Sequence, residues 1–573
     1  ANLPKRNTST YTSVQDNFNI DWRIIPALRL QGRFSYTRQF DRRDLFKSPE
    51  SLDYSTETDP KKKGSYYLVN SRSDRFDGNL TLAYNKTIDK HMLNVGVGSN
   101  IMQSETEGES FTGVGFINPD MIFIGAANAF QENTSPQGTY DKSRLVGFFT
   151  NVNYGYGNRY FLDFSFRSDG SSKFGRNSRF APFWSLGVAW NVHNESFWHA
   201  HEKNALKLRA SVGSTGTTNF SSTQALTTYL YDFSREYNGN FGVSLAGYGN
   251  SSLKWQTTLS YNVGVDFTFL HGLVVFNGDF YIKNTRSLLL PVTVAPSTGF
   301  IDYVENIGKL RNTGVEARLR FNLIQDAVKD LRWNVTLSAF HNRSKITQLS
   351  NQLETINQYA NDDRANQGTV VYRQFEAGRS QTALMVVRSG GIDPATGNEI
   401  YIKRNGEMTF EYNHNDKIEC GDMKPKIEGN VNTNLNWKGF NLYMLFKYQY
   451  GGKIYNATLA SKVEGVNPLK NADKRVLYDR WKEPGDHAKF RRIDDTSAPY
   501  QTTRLVFDNN LLALQSVSLS YELPRKISQK MYMERVKLLL SSTDLFRLSS
   551  VKQERGTSYP FARTFSIGLN VTF

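Results

Sequence analysis

Apolar and polar residues alternate along most of this chain with a period of two. The C-terminal segment shows the pattern clearly, because Phe565, Ile567, Leu569, Val571 and Phe573 alternate with polar or small residues. A strand places successive side chains on opposite faces, so this period predicts strands with one apolar and one polar face. We predict about seventeen strands, near residues 17–24, 28–39, 74–86, 91–103, 143–155, 159–167, 182–192, 205–213, 257–269, 273–284, 309–323, 331–343, 425–437, 441–455, 511–523, 535–546 and 562–573.

The polar face of these strands is rich in charged and amide side chains. Strands with an apolar outer face and a polar inner face are typical of a transmembrane β-barrel with a wet interior, because Arg or Lys in lipid costs about 2–4 kcal/mol at the bilayer midplane. A closed barrel also satisfies every backbone hydrogen bond in hydrocarbon. The polar residues that we expect to face the lumen are Asp163, Arg167, Lys207, Arg209, Asp266, Glu316, Arg318, Arg320, Glu428 and Asn430.

The connections between the predicted strands alternate between short and long. Bacterial outer-membrane barrels have short periplasmic turns and long extracellular loops, so this alternation supports the same class. The terminal strand ends on Phe573, which resembles the assembly signal of outer-membrane proteins, formed here by Phe565, Ile567, Leu569, Val571 and Phe573. Counting back from a periplasmic C-terminus, the first of the seventeen predicted strands runs inward from the extracellular side, whereas bacterial barrels have an even number of strands and begin in the periplasm. We therefore expect further strands upstream, with 1–16 as the tail of an extracellular loop.

Composition excludes several other classes. The 573 residues carry 69 Lys and Arg against 54 Asp and Glu, which gives a formal net charge of +15. Aromatic residues make up 13% of the chain, which is too many for a disordered protein. The single cysteine, Cys420, excludes a disulfide scaffold. The basic residues are dispersed rather than clustered, so we expect lipopolysaccharide phosphates or an anionic substrate as partners, and no nucleic acid.

No catalytic motif is present, so we expect neither enzyme activity nor a cofactor. The sequence contains no H-E-x-x-H, no G-x-S-x-G and no P-loop. His199 and His201 have a spacing that could bind a metal, and Asp362-Asp363 and Asp494-Asp495 could bind calcium, but solvated turns and loops explain all three better. Cys420 is expected to be an inert thiol.

Aromatic residues have two expected roles. Tryptophans near strand ends favour interfacial girdles, where an amphipathic ring suits the headgroup zone. A second group clusters in the predicted loop 214–256 and could stack on sugar rings, pack on a lipoprotein partner or form the core of the loop. This group consists of Tyr229, Tyr231, Phe233, Tyr237 and Phe241.

Several segments in order along the chain resemble the SusC/RagA family of TonB-dependent outer-membrane transporters from Bacteroidetes. The segments are Arg159–Phe166, Asp169–Gly175 (DGSSKFG), Asn306–Glu316 (NIGKLRNTGVE), Gly391–Gly397 (GIDPATG), Gly451–Asn456 (GGKIYN) and Tyr559–Phe573. The resemblance implies a barrel of about 22 strands filled by an N-terminal plug. It also implies a segment that contacts TonB and a SusD-like surface lipoprotein over the barrel.

The resemblance further implies that residues 1–573 are the C-terminal portion of one such barrel, with the plug and the first strands outside this chain. The implied activity is active import of oligosaccharides or oligopeptides through the outer membrane. Two alternatives stay open from the residues alone: a passive porin of 16 to 18 strands, and a soluble secreted all-β binding protein.

Overall fold

A computed structural model of the chain describes residues 5–132, 134–200, 203–218, 224–238, 240–293, 302–306, 308–349, 357, 374–466, 473–495, 497, 499–551 and 563–573. Strands dominate these residues. The strands are β1 (Lys5–Ile25), β2 (Leu28–Lys47), β3 (Ser65–Ile88), β4 (His91–Val114), β5 (Ala129–Phe130), β6 (Gln137–Tyr156), β7 (Tyr160–Ser171), β8 (Phe180–Asn191), β9 (Ala205–Thr217), β10 (Thr228–Tyr237), β11 (Asn240–Gly247), β12 (Gln256–Phe269), β13 (Val274–Arg286), β14 (Leu289–Thr293), β15 (Asp302–Asn306), β16 (Lys309–Asp326), β17 (Leu331–Gln348), β18 (Ala383–Ile392), β19 (Glu399–Ile402), β20 (Met408–Thr409), β21 (Lys417–Asp422), β22 (Ile427–Trp437), β23 (Phe440–Tyr450), β24 (Lys453–Tyr455), β25 (Val506–Asp508), β26 (Leu511–Glu522), β27 (Arg535–Ser549) and β28 (Thr564–Thr572).

Helical structure is short in these residues. One α-helix, α1 (Arg525–Lys530), precedes β27. A π-helical turn covers Leu459–Glu464. The 3-10 turns are Leu52–Tyr54, Pro60–Lys62, Ile124–Ala126, Arg176–Ser178, Val192–Asn194, Leu270–Gly272, His414–Asp416, Lys474–Leu477 and Thr503–Leu505. Among the described residues, none of the helices is both long enough and apolar enough to cross a membrane.

The main sheet contains eighteen strands, of which β5 has two residues, so seventeen long strands remain. Each of the seventeen overlaps one predicted strand. The chain divides into two compact units: unit 1 consists of Ala1–Gly187, Gly213–Thr257 and Leu289–Asn306, and unit 2 consists of Val188–Val212, Thr258–Leu288 and Ile307–Phe573.

Unit 1 is built on an antiparallel run of long strands. The pairs β1–β2, β2–β3, β3–β4, β4–β6 and β6–β7 follow chain order. The turn between β6 and β7 contains Gly157 and Asn158, with φ of 57° and 56°. Positive φ at both central residues suits the right-handed twist of a hairpin, which is why a tight turn forms there.

The strands of unit 1 are longer than the alternation predicts, at the ends away from their tight turns. The expectation that 1–16 is a loop tail is wrong for the described part, because β1 begins at Lys5 and pairs with Lys47 of β2. Residues 5–13 are almost all polar and lack an apolar alternation. Backbone pairing with β2 holds them in the sheet, and pairing leaves no signal in hydropathy.

Unit 2 has the same antiparallel architecture. The pairs β13–β16, β16–β17, β17–β22, β22–β23, β23–β26, β26–β27 and β27–β28 are antiparallel. The turn between β22 and β23 has Lys438 and Gly439 at φ of 45° and 86°. The predicted long loop 344–424 contains a small sheet in the order β20-β19-β18-β21, and β24 pairs with β25.

Buried apolar clusters lie in the connections and at the strand ends next to them, rather than along the middle of the strands. Phe46, Tyr66, Leu68 and Phe116 form one cluster in unit 1, and Phe174, Phe183, Leu253 and Trp255 form another. In unit 2, Leu384, Tyr455, Ala460 and Leu505 form a third. The apolar side chains of the long strands are largely exposed instead, which is the arrangement expected where lipid replaces a second sheet.

Candidate functional site

The two faces of the long strands differ sharply in chemistry. On β7, Leu162, Phe164 and Phe166 are between 38% and 41% exposed on one face, while Asp163 and Arg167 lie on the other. The same separation holds on β16, where Val315 is 47% exposed and the neighbouring Glu316 points to the opposite face. The polar face of these strands is therefore the candidate site, and its assignment to the lumen stays a prediction.

In unit 1, the predicted residue Arg167 belongs to a cluster that spans three strands. Its Nε lies 2.5 Å from Asp169 Oδ1, and its second guanidinium nitrogen donates to Asn100 Oδ1 at 2.5 Å. Gly147 of β6 makes room for this cluster, because a Cβ there would overlap Asp169 Oδ1. Asp163 lies apart from the cluster and accepts a hydrogen bond from Asn153 Nδ2 at 2.6 Å.

In unit 2, two of the predicted residues contact each other directly. Arg209 of β9 donates to both carboxylate oxygens of Asp266, at 3.1 and 3.2 Å, and to Asp279 Oδ2 at 2.8 Å. Asn277 Nδ2 donates to Asp266 at 2.8 Å. One guanidinium therefore joins the carboxylates of β12 and β13, and we call these four residues the Arg209 cluster.

The other predicted residues of unit 2 extend the same face. Lys207 shares the face of β9 with Arg209. Glu316 and Arg318 of β16 stand opposite Asp279 and Asn277 of β13, and Arg320 follows two residues further along β16. Glu428 accepts a hydrogen bond from Gln449 Nε2 at 3.2 Å, and Asn430 stands opposite Lys447. Glu428 and Asn430 are not members of the Arg209 cluster.

Sequence reasoning missed the partners that complete these clusters. Asp279, Asn277, Asp169 and Asn100 were not predicted, although Asp279 and Asn277 follow the period of two along β13. That alternation was the available signal. It shows which face a residue occupies, but it does not show which residue of another strand it contacts.

The same face changes character along β22, β23, β26, β27 and β28. Between the row of Asn430 and Lys447 and the row of Glu522 and Lys537, the register places amides, hydroxyls and a few apolar side chains. We call this stretch the neutral sector; it consists of Asn432, Asn434, Asn436, Asn441, Tyr443, Leu445, Ser516, Ser518, Ser520, Leu539, Ser541, Thr543, Thr564, Ser566 and Gly568. Asn441 Nδ2 donates to the side chains of both Asn434 and Asn436, at 2.7 and 2.6 Å.

Unit 2 also contains a folded loop module, which is formed by connections between the long strands. It consists of β18–β21, β24, β25 and the described residues between Tyr455 and Val506. Glu464 and Glu399 are buried at its centre, with side-chain exposures of 0% and 1%. Arg504 bridges them at 2.9 and 3.0 Å, and Arg491 Nε lies 2.9 Å from Glu464. Thr502 Oγ1 donates to Glu399 at 2.7 Å.

Burial and neighbouring charges both shift the pKa values of groups inside this module. Burial acts to raise the pKa of Glu464, but the charges and hydrogen bonds of Arg504 and Arg491 outweigh it and hold the pKa below its ordinary value. Burial lowers the pKa of Lys417 to about 8. The ion cluster connects segments that are far apart in sequence and fixes the module's shape.

The predicted loop aromatics lie in or beside a β-hairpin rather than in an irregular loop. β10 pairs with β11, and Tyr229, which stands opposite Leu245, is 64% exposed. The side chains of Tyr231, Phe233, Tyr237 and Phe241 lie outside the described residues, so their role stays a prediction. On β28, Phe565, Ile567 and Leu569 are exposed and Val571 is half-buried, and Phe573 directly after the strand is exposed. The assembly role of these five residues also stays a prediction.

The candidate metal ligands have other partners. His199 Nδ1 lies 2.7 Å from the carbonyl of Phe197, while His201, Asp362 and Asp363 lie outside the described residues. Asp494 pairs with Arg492, and Asp495 pairs with Arg491 at 2.6 Å. Within the described part of the chain, no group of three or more His, Cys, Asp or Glu side chains could hold a metal ion.

Cys420 is half-buried in the loop module and packs against the cluster of Leu384 and Tyr455. Its Sγ donates to the carbonyl of Leu384 at 3.2 Å. Burial raises the pKa of the thiol to about 11, which keeps it protonated at neutral pH. These properties agree with the expected inert thiol.

This geometry defines a class of protein: an all-β transmembrane barrel whose strands carry one apolar face and one charged and amide-rich face. The family described as "TonB dependent receptor-like, beta-barrel" matches residues 2–390. The chain belongs to this family. The predicted fold class and the predicted location, integral in the bacterial outer membrane, are confirmed.

Two relatives and one solved structure extend the comparison. TonB-dependent receptor P3 of Formosa agariphila is 25% identical over 616 residues, covering 100% of this chain and 59% of the relative. TonB-dependent receptor SusC of Bacteroides thetaiotaomicron is 27% identical over 333 residues, covering 56% of this chain and 32% of the relative. The structure of the RagAB peptide transporter matches with a TM-score of 0.87 at 21% identity, over 100% of this chain and 63% of the matched chain.

These matches confirm the resemblance to the SusC/RagA family of TonB-dependent receptors. The solved structure shows a shared fold at an identity too low to show more. The chain spans 59% of the length of P3 and 63% of the matched RagAB chain. Membership in an outer-membrane barrel family also makes the soluble secreted alternative wrong.

Proposed function

We propose that this chain forms most of the barrel wall of a TonB-dependent importer of oligosaccharides or oligopeptides. The observation that carries the proposal is the two-faced sheet, with exposed apolar side chains on one face and connected polar clusters on the other. Such a wall provides a rigid, wet passage through lipid. Two relatives are named TonB-dependent receptors, one of them SusC, and the matched structure is that of a peptide transporter. These similarities support inward transport that is energised through TonB.

The proposed importer needs parts in addition to this barrel wall. A plug that fills the barrel and a segment that contacts TonB would belong to the portion that the longer relatives have in addition. The charged clusters around Arg167 and Arg209 are suited to hold a plug, because charge-assisted hydrogen bonds are strong and directional. We do not expect an enzyme activity, because transport requires binding and movement without a covalent step.

The neutral sector supports the proposed substrate classes. Amides and hydroxyls both donate and accept hydrogen bonds, so they suit the hydroxyls of a sugar or the peptide groups of a peptide. Charged side chains border this sector at the rows of Lys447 and Lys537 without entering it. A SusD-like lipoprotein is the proposed partner that captures such an oligomer before it enters the barrel.

The test is uptake by cells that carry the full-length protein. The probes are fluorescent malto-oligosaccharides and a fluorescent tryptic digest of casein, each supplied with and without a protonophore. An importer driven through TonB loses uptake when the proton gradient collapses or when TonB is deleted. A passive porin retains uptake in both cases, and that result would contradict the proposal.

The partner is tested separately, by affinity purification of the tagged full-length protein from outer membranes in mild detergent. A surface lipoprotein in stoichiometric amount is the expected companion. If purification under these conditions yields the protein alone, the lipoprotein part of the proposal is wrong, whether or not uptake is energised.

A further inference from the structure

The face of unit 1 that carries exposed apolar side chains also carries a band of charged residues further along the same strands. On β2, β3, β4 and β6 the apolar stretch consists of Leu28, Leu30, Phe34, Leu80, Leu82, Val97, Ile101, Val146 and Phe148. The charged stretch, which we call the charged belt, consists of Arg38, Arg42, Arg72, Asp74, Glu105, Glu107, Glu109, Lys142 and Arg144. The belt lies on the side of the apolar stretch away from the tight turns.

The register establishes that both stretches share one face. No bulge interrupts the pairs β2–β3, β3–β4 and β4–β6, so residues separated by two stay on the same side. One row of paired positions contains Arg38, Asp74, Glu105 and Lys142, and the next contains Phe40, Arg72, Glu107 and Tyr140. The belt therefore faces the membrane side of the wall and not the passage.

Contacts within each row connect neighbouring strands. Arg38 Nε lies 2.6 Å from Asp74, Lys142 Nζ lies 2.7 Å from Glu105, and Arg72 lies 3.0 Å from Glu107. The last two pairs join side chains that are between 24% and 60% exposed. Exposed ion pairs of this kind contribute only about 0–1 kcal/mol each, so stability alone is a weak reason for so many charges.

The height of the belt corresponds to the surface of the bilayer. Strands rise about 3.3 Å per residue and are tilted about 45° in outer-membrane barrels, so the eight-residue step from Leu28 to Tyr36 spans about 19 Å along the membrane normal. The apolar band of such barrels is about 25 Å tall. The first charged row, which contains Arg38 and Asp74, comes directly after Tyr36. It therefore lies at the height where the hydrocarbon core ends and the headgroup region begins.

An open groove lies within the belt. Its volume is about 810 Å³, and its walls include Phe40, Arg42, Arg72, Glu107, Glu109 and Tyr140. Phe40 and Tyr140 are 49% and 60% exposed. Two exposed rings flank guanidinium and carboxylate groups here, which is a combination that can stack on a sugar ring and bond its hydroxyls and phosphates.

We propose that this groove binds the phosphorylated sugar headgroup of an outer-leaflet glycolipid, whose acyl chains lie against the apolar stretch below. An amphiphile fits better than a soluble glycan because the groove is continuous with the lipid-facing stretch. The belt carries both signs of charge, so arginine and lysine can bind phosphates while the glutamates of β4 share divalent counter-ions with them. The inference depends on the orientation of the wall and not on the proposed transport.

The experiment uses the full-length protein purified from its own outer membranes in dodecylmaltoside. Bound phosphorylated glycolipid is counted per protein by native mass spectrometry, for the wild type and for the double variant Arg42→Gln/Arg72→Gln. The matched control is Arg33→Gln/Arg43→Gln, which removes the same charge from the opposite face of β2. The heat-dependent mobility shift on gels verifies that each variant is folded.

We expect at least one glycolipid per wild-type protein, a loss of threefold or more in the groove variant, and no change in the control. Washing with EDTA should reduce retention in the wild type, and lipopolysaccharide added in micelles should restore it. Equal losses in both double variants would overturn the proposal. Full competition by the de-acylated sugar headgroup would overturn it as well, since the site would then bind soluble glycans. Cross-linking from Tyr140 to a protein in place of lipid would also overturn it.

Discussion

Arg209 and Asp279 are joined by a 2.8 Å hydrogen bond that passes over Gly264. Arg209 belongs to β9 and Asp279 to β13, and β12 carries Gly264 between them. A Cβ on Gly264 would lie 2.7 Å from both Arg209 Cζ and Asp279 Oδ1. The missing side chain is therefore what allows one guanidinium to bridge two carboxylates on the polar face.

Gly264→Val should separate Arg209 from Asp279 and destabilise the wall. Loss of a charge-assisted hydrogen bond between partly buried groups predicts a cost of about 1.5–3 kcal/mol. The measurement is the unfolding midpoint of the purified protein in detergent, followed by circular dichroism during heating. Gly96→Ala is the matched control, because the nearest atom to a Cβ there is 3.9 Å away. Equal shifts for the two variants would show that Gly264 has no role beyond strand geometry.

Arg504→Met should loosen the loop module while leaving the strands intact. Arg504 is 10% exposed and bridges Glu399 and Glu464, so its removal leaves buried carboxylates without their shared cation. Breaking a buried pair in this way costs about 3–5 kcal/mol. Limited proteolysis should cut between 383 and 508 in the variant, with the remaining chain protected.

The control for this variant is Arg492→Met. Arg492 pairs with Asp494, and the two side chains are 42% and 60% exposed, so the expected cost is within about 1 kcal/mol. A cleavage pattern that is the same in both variants would contradict a specific role for the buried cluster.

Lys417 should make the loop module more stable in mildly alkaline solution. Its pKa is about 8 in the folded protein against an ordinary value of 10.5, because burial disfavours the charged form. Between these two values the unfolded chain binds more protons than the folded chain, so stability rises with pH across this window. Resistance of the module to proteinase K in urea should therefore increase from pH 8 towards pH 10.

Lys417→Met should remove this dependence on pH and raise the resistance already at pH 7, since no ammonium then has to be buried. If the wild type and the variant respond alike to pH, the effect belongs to another group.

The positions of the strands were predictable because a period of two is a local property of the sequence. The start of β1 was missed, since Lys5 and the polar residues after it carry no apolar alternation and are held by pairing with β2. The ion cluster of the loop module was missed for another reason. Glu399 and Arg504 are 105 residues apart, and no local pattern connects a carboxylate with a guanidinium across two loops.

The clusters on the polar face were predictable in part. Arg209 and Asp266 stand out because charges on alternating positions interrupt apolar strands. Asp279 completes their cluster only because Gly264 lies between Arg209 and Asp279 and has no side chain. The need for a glycine at this position is apparent only once the neighbouring strands are placed side by side. Face assignment therefore follows from sequence, whereas pairing on a face requires the register.

The face assignment itself can be tested with two neighbouring residues of β26. Leu519 is 41% exposed on the apolar face, and Ser518 lies on the polar face opposite Tyr443 of β23. Leu519→Lys would place an ammonium in hydrocarbon at a cost of about 2–4 kcal/mol near the midplane, whereas Ser518→Lys would place it in water. The measurement is the fraction of protein that reaches the outer membrane in folded form, judged by its heat-dependent mobility on gels. We expect Leu519→Lys to lower this fraction severalfold and Ser518→Lys to leave it near the wild-type level. The reverse order would mean that the polar face meets lipid, and the inner-face assignment of Arg167, Arg209 and the neutral sector would be wrong together with it.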